Sequence, residues 1–564
     1  MDVSTGTAKA IVDDVIGTAP DRPQLQVIGS DLPATARALR TLLAANTGLS
    51  TGSGLYDRGG VLVRLAHPAD GGLPSVNELT VHGVVFEAHH LCQPVQWSGD
   101  QLKPITLPER VAKMYLEALR GEWGVPALDG VTTAPVLAAD GAILDRDGYD
   151  SGTHLWCARV PALRLPDRPT RKQAEAALMK LRQAFRTFPF GDAPKVQATV
   201  DGAMLDVVDT GKAPMLDETA ALAALLTAVC RPSLHLAPGF LATAANLSGA
   251  GAGKGLLVRA IVAIAFGIRP SAFTPGREKD ELDKRLVSEL IGAAPVLFLD
   301  NVNNASLKSD TLASVLTERP ARVRVLGKSL MVPVNSAAFI ALTGNGLTVS
   351  EDLARRFLSC VLDAGMEDPE ARPFAPGYLD RIMGRRPELL AAALTIWRWG
   401  RQNPADLTRG LRLGSFETWC EWVRDPLLTL GCADPVQRSR DAKANDPRRR
   451  QVMDLYNAWD AKYGALPMAA KTLDDDVRAI VDPAGRGRQF VASELHKLAG
   501  TRSGGFVLER HKGDSKWGTT RYVLTVADQA MVDARAEARR KEEPATPHHD
   551  GPHADPDDPG PTLD

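Results

Sequence analysis

The chain has 564 residues, 44% hydrophobic and 24% charged, which is ordinary for a globular protein and too long for one hydrophobic core. Its 66 Lys and Arg residues nearly balance its 68 Asp and Glu residues, which excludes a globally basic nucleic-acid-binding protein and requires local basic patches for any DNA contact. Six widely spaced cysteines and the lack of a long apolar run indicate reduced core thiols and a cytoplasmic protein that does not enter a membrane.

Residues 1–165 are predicted to form an N-terminal mixed α/β domain without an assigned role. Short apolar runs, including VVFEA at 84–88, predict strands, and ARALRTLLAA and ERVAKMYLEALRGEW predict helices between them. His89 and His90, near Glu87 and Cys92, would point to opposite faces of a strand, which argues against a metal site. The LDRDGYD segment predicts a turn in preference to a pair of catalytic acids, and primase activity is not expected of this region.

A helical collar is predicted over residues 166–232. Apolar residues recur at helical spacing in RKQAEAALMKLRQAFRTF, and Leu216 to Cys230 predicts a second helix with an apolar face. The Lys and Arg residues of the first helix are expected on a solvated face.

The segment SGAGAGKG, Ser248 to Gly255, lies between the apolar runs GFLATA and LLVRAIVAIAF. A short strand, a glycine loop ending in lysine and a helix form the layout of a phosphate cradle, in which backbone N–H groups and a lysine face an anion. A flexible Gly/Ala loop without a ligand is the alternative. The predicted nucleotide-binding residues are Ser248, Gly249, Ala250, Gly251, Ala252, Gly253, Lys254, Gly255 and Leu256.

Three later segments complete the predicted site within a core of residues 233–386. The strand PVLFLD ends in Asp300, where a carboxylate at a strand tip is suited to hold Mg²⁺ beside a bound phosphate. The next strand ends in Asn345, an amide suited to orient water or contact the γ-phosphate. Arg355 and Arg356 follow in EDLARRF and are candidates for a finger that reaches the nucleotide of a neighbouring subunit.

Four segments, in their order along the chain, resemble the superfamily 3 helicases of the AAA+ class, and in particular the helicase part of primase-helicase proteins of phages, prophages and integrative elements. These segments are SGAGAGKG, PVLFLD, FIALTGN and EDLARRF. The resemblance spans Arg171 to about Cys432. It implies a P-loop AAA+ core with a parallel sheet flanked by helices, and a homo-oligomeric, hexameric ring that hydrolyses ATP between subunits and threads single-stranded DNA.

Residues on either side of Gly327 and Lys328 alternate in polarity and predict a β-hairpin. In the family such a hairpin projects into the central channel, so the resemblance implies Lys328 as the DNA-binding residue, with Arg322 and Arg324 in support. A surface hairpin is the alternative. The sequence departs from the family at Gly255, which lacks the metal-binding hydroxyl, and at Asn301, which leaves the general base open between Asp300 alone and Glu289.

Beyond the core, residues 387–435 predict a helical extension whose tryptophans serve packing. Residues 436–527 predict a winged-helix-like domain, in which Lys512 and Lys516 at the hairpin tip are candidates for DNA phosphate contacts. Winged helices also dock proteins, so DNA binding is one of two interpretations. Residues 528–564 predict a charged helix and a disordered tail.

The sequence therefore predicts a multidomain α/β protein, an ATP-dependent DNA helicase of a mobile genetic element, using ATP and Mg²⁺ during replication. Its expected partners are single-stranded DNA and further copies of itself, with a primase or origin DNA as additional candidates. The alternatives are a nucleotide-switched DNA-binding initiator or loader with little hydrolysis, and an ATPase that remodels proteins.

Overall fold

The computed structural model of the chain describes residues 22–45, 54–67, 74–200, 202–244, 251–273, 279–302, 306–307, 309–325, 331–345, 348–349, 353, 355–366, 369–372, 377–438, 447–511 and 520–533. The protein is a mixed α/β chain that divides into two compact units, residues 1–440 and 441–564. Within the described ranges, no helix is both long enough and apolar enough to cross a membrane. The domain boundaries predicted inside the first unit stay predictions.

The described amino-terminal part of the first unit combines short strands with three helices. Its elements are β1 Gln24–Gln26, α1 Leu32–Ala45, β2 Leu55–Asp57, β3 Leu62–Ala66, β4 Ser75–Glu78, α2 Val81–Leu91, β5 Gln93–Ser98, β6 Gln101–Pro104, α3 Glu109–Ala118, β7 Gly130–Thr132, β8 Val136–Leu137, β9 Ile143–Leu144, β10 Gly148–Asp150 and β11 Leu155–Cys157. Two three-stranded sheets, β1-β5-β6 and β2-β3-β4, lie beside these helices.

One prediction for this region is wrong. VVFEA belongs to helix α2, where Thr80 caps the first turn by accepting a hydrogen bond from the Gly83 backbone. His89 therefore lies on a helix, and its Nε2 accepts a hydrogen bond from the Leu107 backbone at 3.1 Å. Apolar residues at consecutive positions satisfied a strand pattern, whereas the cap at Thr80 fixes a helix start. No cluster of three metal-ligating side chains occurs among the described residues.

The middle of the first unit contains the elements that carry the predicted site. They are α4 Arg171–Phe185, β12 Lys195–Val200, β13 Ala203–Val208, α5 Leu216–Cys230, β14 Gly239–Ala244, α6 Lys254–Phe266, α7 Lys279–Ile291, β15 Val296–Leu299, β16 Ser306–Leu307, α8 Asp310–Thr317, β17 Ala321–Arg324, β18 Met331–Val334, β19 Phe339–Asn345, β20 Thr348–Val349 and β21 Phe357–Leu362.

A four-stranded sheet with the order β15-β19-β14-β21 lies at the centre of this unit, and all its neighbouring pairs are parallel. Strands buried on both faces read as continuous apolar runs, as VLFL and FIAL do here. Helices α5 and α6 pack on one face, in a cluster that includes Phe240 and Phe298. The other face packs against α7, α8 and residues of the amino-terminal sheets, in a cluster that includes Leu241 and Leu297. The parallel sheet is therefore covered on both sides.

Helix α5 is buried on nearly every side, which is more than the single apolar face expected from the sequence. Its acidic residue Glu218 accepts two hydrogen bonds from Arg182 of α4, at 2.7 Å and 3.1 Å. Arg182 was expected on a solvated face, and that prediction is wrong because the buried carboxylate of Glu218 requires a cationic partner.

The first unit ends in helices that close over α4 and α6. They are α9 Tyr378–Gly384, α10 Arg386–Gln402, α11 Glu417–Trp419, a π-helical turn Cys420–Arg424, and α12 Asp425–Thr429. Elsewhere in the described part of this unit, single 3₁₀ turns lie at Arg231–Ser233, Pro369–Ala371 and Pro404–Asp406. The four tryptophans of this region are at most 6% exposed, which confirms their packing role.

The described residues of the second unit pack helices against an antiparallel sheet. Its elements are α13 Pro447–Tyr463, β22 Met468–Ala469, a 3₁₀ turn Ala470–Thr472, α14 Asp475–Val481, α15 Arg488–Leu498, β23 Arg502–Ser503, β24 Phe506–His511 and β25 Arg521–Val526. The strand order is β22-β25-β24-β23. Trp459, Val477, Leu495 and Leu508 are fully buried between helices and sheet, so this unit has its own hydrophobic core.

Candidate nucleotide-binding site

The end of the glycine loop and the start of helix α6 lie at the carboxyl end of β14. Gly253 precedes the helix with φ of +91°, and the helix begins at Lys254. A left-handed φ is open to glycine at little cost, which is why the turn into the helix carries one here. The first-turn N–H groups of such a helix point outward with the positive end of its dipole. Ser248, Gly249 and Ala250, the first three predicted loop residues, lie outside the described residues.

Two glycines in the described part of the loop lie close to neighbouring groups. Gly251 has φ of +74°, and a Cβ there would lie 2.7 Å from the Glu370 backbone nitrogen. A Cβ on Gly253 would lie 3.6 Å from the ring of Phe188. The loop therefore runs between an aromatic side chain and the turn Pro369–Ala371, and Gly251 is required by both its conformation and its surroundings.

Lys254 is 8% exposed at the start of α6. Burial lowers the pKa of its ammonium group, and the negative charge of Asp300 acts in the opposite direction. A buried lysine next to backbone donors provides a full positive charge where a phosphate would lie. Ala252 is also buried, whereas Gly255 and Leu256 are half-buried on the first turn of the helix.

Asp300 follows β15, and Thr343 lies on the neighbouring strand β19. The register pairs Leu299 with Leu342, so the next residue on each strand reaches the same edge of the sheet. Asp300 accepts a hydrogen bond from the Thr343 hydroxyl and another, at 3.1 Å, from the Asn301 backbone. The Asn301 N–H also donates to Thr343 Oγ1 at 3.1 Å. These contacts fix the Asp300 carboxylate at the carboxyl edge of the sheet.

Asn345 is the last residue of β19 and pairs in register with Ala244, the last residue of β14. It is half-buried. The predicted site residues Lys254, Asp300 and Asn345 therefore lie at one edge of the sheet, on or after three neighbouring strands.

Arg259 is a member of this site that the sequence reasoning missed. Its Nη2 donates to Asp300 Oδ2 at 3.1 Å, and its guanidinium carbon lies 5.2 Å from the centre of the Phe298 ring. The sequence carried a signal, because Arg259 is the one charged residue in the apolar run LLVRAIVAIAF and follows Gly255 at helical spacing. A cation in an otherwise buried helix needs an acidic partner, and Asp300 is that partner.

The residues at this position do not fit the expected Mg²⁺. A Cβ on Gly255 would lie 2.6 Å from Arg259 Nη1 and 3.3 Å from Asp300 Oδ2, so the place of the usual hydroxyl is taken by a guanidinium. Mg²⁺ requires oxygen ligands in near-ideal octahedral geometry. Here Gly255 offers no oxygen, and the carboxylate that would bind the ion pairs with Arg259.

Arg355 and Arg356 lie at the opposite edge of the sheet from the glycine loop. The Arg356 carbonyl accepts a hydrogen bond from the Gly239 backbone at 2.9 Å, at the amino ends of β14 and β21. Arg355 is exposed, whereas Arg356 is half-buried and its Nη1 donates to the Ala313 carbonyl and to Thr317 Oγ1 at the end of α8. Both arginines lie in a turn, and neither lies beside the glycine loop of its own chain.

The predicted hairpin is present as β17 and β18, with Arg322 opposite Pro333 and Arg324 opposite Met331. Val323 and Val332 are buried, while Arg322 and Arg324 are exposed on the other face. The alternation therefore places both arginines together on the solvent side. Lys328 lies outside the described residues.

In the second unit, α15 presents a polar face to solvent. Arg488, Gln489, Ser493 and His496 are exposed, whereas Val491 and Leu495 are buried. The antiparallel strands β24 and β25 follow the helix, with Phe506 paired to Val526. Lys512 and Lys516, predicted at the hairpin tip, lie outside the described residues.

No family model and no curated protein matches the sequence. Among solved structures, the chain is similar to an apo structure of the NrS-1 C-terminal region, with a TM-score of 0.33 and 10% identity, covering 86% of this chain and 98% of that chain. Two further apo structures of the same region give a TM-score of 0.32 and 12% identity over the same shares. These values describe a weak likeness, so the function of this chain is inferred from its own residues.

Proposed function

We propose that this protein is an ATP-dependent DNA helicase of the superfamily 3 type, with a P-loop AAA+ core and a winged-helix-like second unit. The observation that carries the proposal is the meeting of Lys254 and Asp300 at the carboxyl edge of a parallel sheet, with Asn345 at the end of the strand between them. Ligands of open parallel sheets bind outside the carboxyl ends of the strands.

Each group has a role that follows from its chemistry. The amides of the glycine loop and the start of α6 bind phosphate oxygens, and Lys254 adds a charge. Thr343 holds Asp300, and the Asp300 carboxylate positions the charged groups of Lys254 and Arg259 around the phosphates. Asn345, a neutral amide, contacts the γ-phosphate or orients the attacking water. Electrostatic stabilisation of the transferring phosphoryl group by Lys and Arg is the main catalytic contribution available to this set.

The DNA-binding part of the proposal rests on two surfaces. The hairpin β17–β18 presents Arg322 and Arg324 on one exposed face, as a backbone-binding hairpin in a ring channel requires. The winged-helix part of the proposal is supported by the order of elements in the second unit, which runs from α13 and β22 to α14, α15 and the pair β24–β25. Its exposed polar helix face is suited to a DNA groove.

Two parts of the proposal come from the family resemblance. These are the hexameric ring of identical subunits in the cytoplasm and Arg355 as the residue that reaches a neighbour's nucleotide. Arg355 is the better candidate of the pair, because Arg356 holds helix α8 of its own chain. A primase or origin DNA remains a candidate partner.

A second candidate function is a nucleotide-switched DNA-binding initiator or loader that hydrolyses ATP slowly. The contact between Arg259 and Asp300 favours it, because a cation fixed on the acid competes with the metal of ordinary hydrolysis. Asn301, in place of a second acid, favours it too.

ATP hydrolysis with and without single-stranded DNA tests the two functions. We expect DNA to stimulate hydrolysis by the wild type, Lys254→Ala to abolish it, and the exposed-residue control Lys284→Ala to retain it. ATP binding without DNA-stimulated hydrolysis would support the switch. A Lys254→Ala variant that retains both ATP binding and ATP hydrolysis would contradict both functions.

A further inference from the structure

Arg259 lies where a P-loop ATPase normally assembles its metal site. Its Nη1 would be 2.6 Å from a Cβ on Gly255, and its Nη2 is 3.1 Å from the Asp300 carboxylate. The guanidinium of Arg259 thus occupies the space that a side chain at position 255 would fill. A larger residue at 255 would push the guanidinium away from Asp300.

From this arrangement we infer that Arg259 is a built-in replacement for Mg²⁺, so that the site binds the phosphates of a nucleoside triphosphate without a divalent cation. The inference rests on the proposed nucleotide binding at Lys254 and deepens it, because it identifies which cation accompanies the phosphates. It also identifies Arg259 as a phosphate-binding residue.

The local charges support this role. Lys254 and Arg259 place two positive charges beside the carboxylate of Asp300. Asp300 also accepts hydrogen bonds from the Thr343 hydroxyl and the Asn301 backbone. A carboxylate that is already paired with a guanidinium and held by two further donors attracts a hydrated metal ion less than an open one does.

The guanidinium is held in place yet remains accessible. It stacks over Phe298 at 5.2 Å and its side chain is 33% exposed, against 16% for Asp300. The guanidinium therefore contacts the carboxylate through Nη2, while about a third of the Arg259 side chain stays exposed to solvent. Arginine binds phosphate oxygens through two parallel N–H donors, which gives both direction and charge.

The direct test is ATP binding by the full-length wild type, measured by titration calorimetry in excess EDTA and in excess Mg²⁺. We expect the two dissociation constants to agree within about threefold, which is less than 1 kcal/mol. Binding that requires Mg²⁺ would overturn the inference and leave the proposed function intact. No binding in either condition would overturn the proposed function itself.

A substitution at Arg259 provides a second test of the inference. Arg259→Gln retains a hydrogen-bond donor but no charge, and we expect it to weaken ATP binding in EDTA by roughly ten- to a hundredfold. Arg285→Gln removes an exposed arginine that pairs with Glu281 on α7 and is the matched control. Equal binding by Arg259→Gln and wild type in EDTA would contradict the inference.

A double variant converts the site to the ordinary type. Gly255→Ser with Arg259→Ala supplies the missing hydroxyl and frees the carboxylate, so we expect ATP binding that is strong only with Mg²⁺. Gly255→Ala with Arg259→Ala lacks the hydroxyl and should gain less from Mg²⁺. A double variant whose binding is as independent of Mg²⁺ as the wild type would show that Arg259 is not the replacing cation.

Discussion

The hydroxyl of Thr343 donates a hydrogen bond to the carboxylate of Asp300 and joins the ends of two adjacent strands. Thr343 is fully buried, and its oxygen also accepts a hydrogen bond from the Asn301 backbone. The Thr343 hydroxyl thus orients the Asp300 carboxylate and accepts a hydrogen bond from the backbone of the turn that follows Asp300. A side chain of the same shape without the hydroxyl would lose both contacts.

We therefore predict that Thr343→Val lowers the free energy of unfolding by about 1–3 kcal/mol, because the Asp300 carboxylate loses its hydroxyl donor and the Asn301 N–H loses one of its two acceptors. ATP hydrolysis should fall as well, since Asp300 loses one of its fixed contacts. Urea unfolding and steady-state hydrolysis measure the two effects. Thr343→Ser retains the hydroxyl and should resemble the wild type; a Thr343→Val variant as stable and as active as the wild type would contradict this role of the hydroxyl.

We expect Arg355 and Arg356, the two residues before β21, to have different roles. Arg356→Ala removes the donors to Ala313 and Thr317 and should lower stability, because the end of α8 loses its attachment. Arg355→Ala should reduce ATP turnover by roughly 10³- to 10⁵-fold, the range for a lost arginine finger.

Thermal melts and hydrolysis rates of both variants check this separation. ATP binding should persist in Arg355→Ala, because the residue lies away from the phosphate loop of its own chain. Full turnover by Arg355→Ala would eliminate it as the trans residue and weaken the ring model.

The exposed arginines of the hairpin β17–β18 should contact DNA phosphates. Binding of single-stranded DNA depends on salt with a slope of about −0.7 for each phosphate contact. We predict that Arg322→Ala and Arg324→Ala each make the slope less steep by about that amount, without an effect on ATP binding.

Arg285→Ala, on an exposed helix face in an ion pair with Glu281, serves as the control and should leave the slope unchanged. Fluorescence anisotropy across a salt series measures all three variants. Slopes equal to the wild type in both hairpin variants would place the DNA path elsewhere.

The parallel sheet was predictable from sequence because the signals of its strands are local. GFLATA, PVLFLD and FIALTGN are apolar runs, the last two of which end in the polar residues Asp300 and Asn345, and each contributes a strand of the central sheet. The hairpin at β17–β18 followed from alternation alone. Periodicity and turn chemistry report on neighbours in sequence, so they locate such elements well.

Arg259 and Thr343 could not be assigned in this way, because their roles depend on contacts across 41 and 43 positions of sequence. Arg182 shows the same limit, since its buried partner Glu218 lies 36 positions away. The helix at α2 was missed for a different reason. A short run of apolar residues fits both a strand and a helix, and the cap residue decides between them.

The carboxylate of Asp217 connects helix α5 to the end of the first unit. It accepts hydrogen bonds from the Val361 backbone at 2.9 Å and from Arg438, which also contacts Asp192. Burial raises the pKa of Asp217 to about 6, and the hydrogen bond from Val361 and the charge of Arg438 oppose this increase without cancelling it. In the unfolded chain the same group has a pKa of about 3.9.

The sign of the pH effect follows from these two values. Between about pH 4 and pH 6 the folded state binds more protons than the unfolded state, so this group lowers stability as the pH rises. The contribution is on the order of 1–3 kcal/mol. We predict that the free energy of unfolding of the wild type, minus that of Asp217→Asn, falls by this amount across the window, as measured by urea unfolding at each pH.

Arg438→Gln supplies the matched comparison, because removal of the cation should raise the pKa of Asp217 further. The decline in stability should then continue above pH 6 in that variant, whereas it should end near pH 6 in the wild type. A difference between wild type and Asp217→Asn that does not change with pH would show that burial is not what controls this carboxylate.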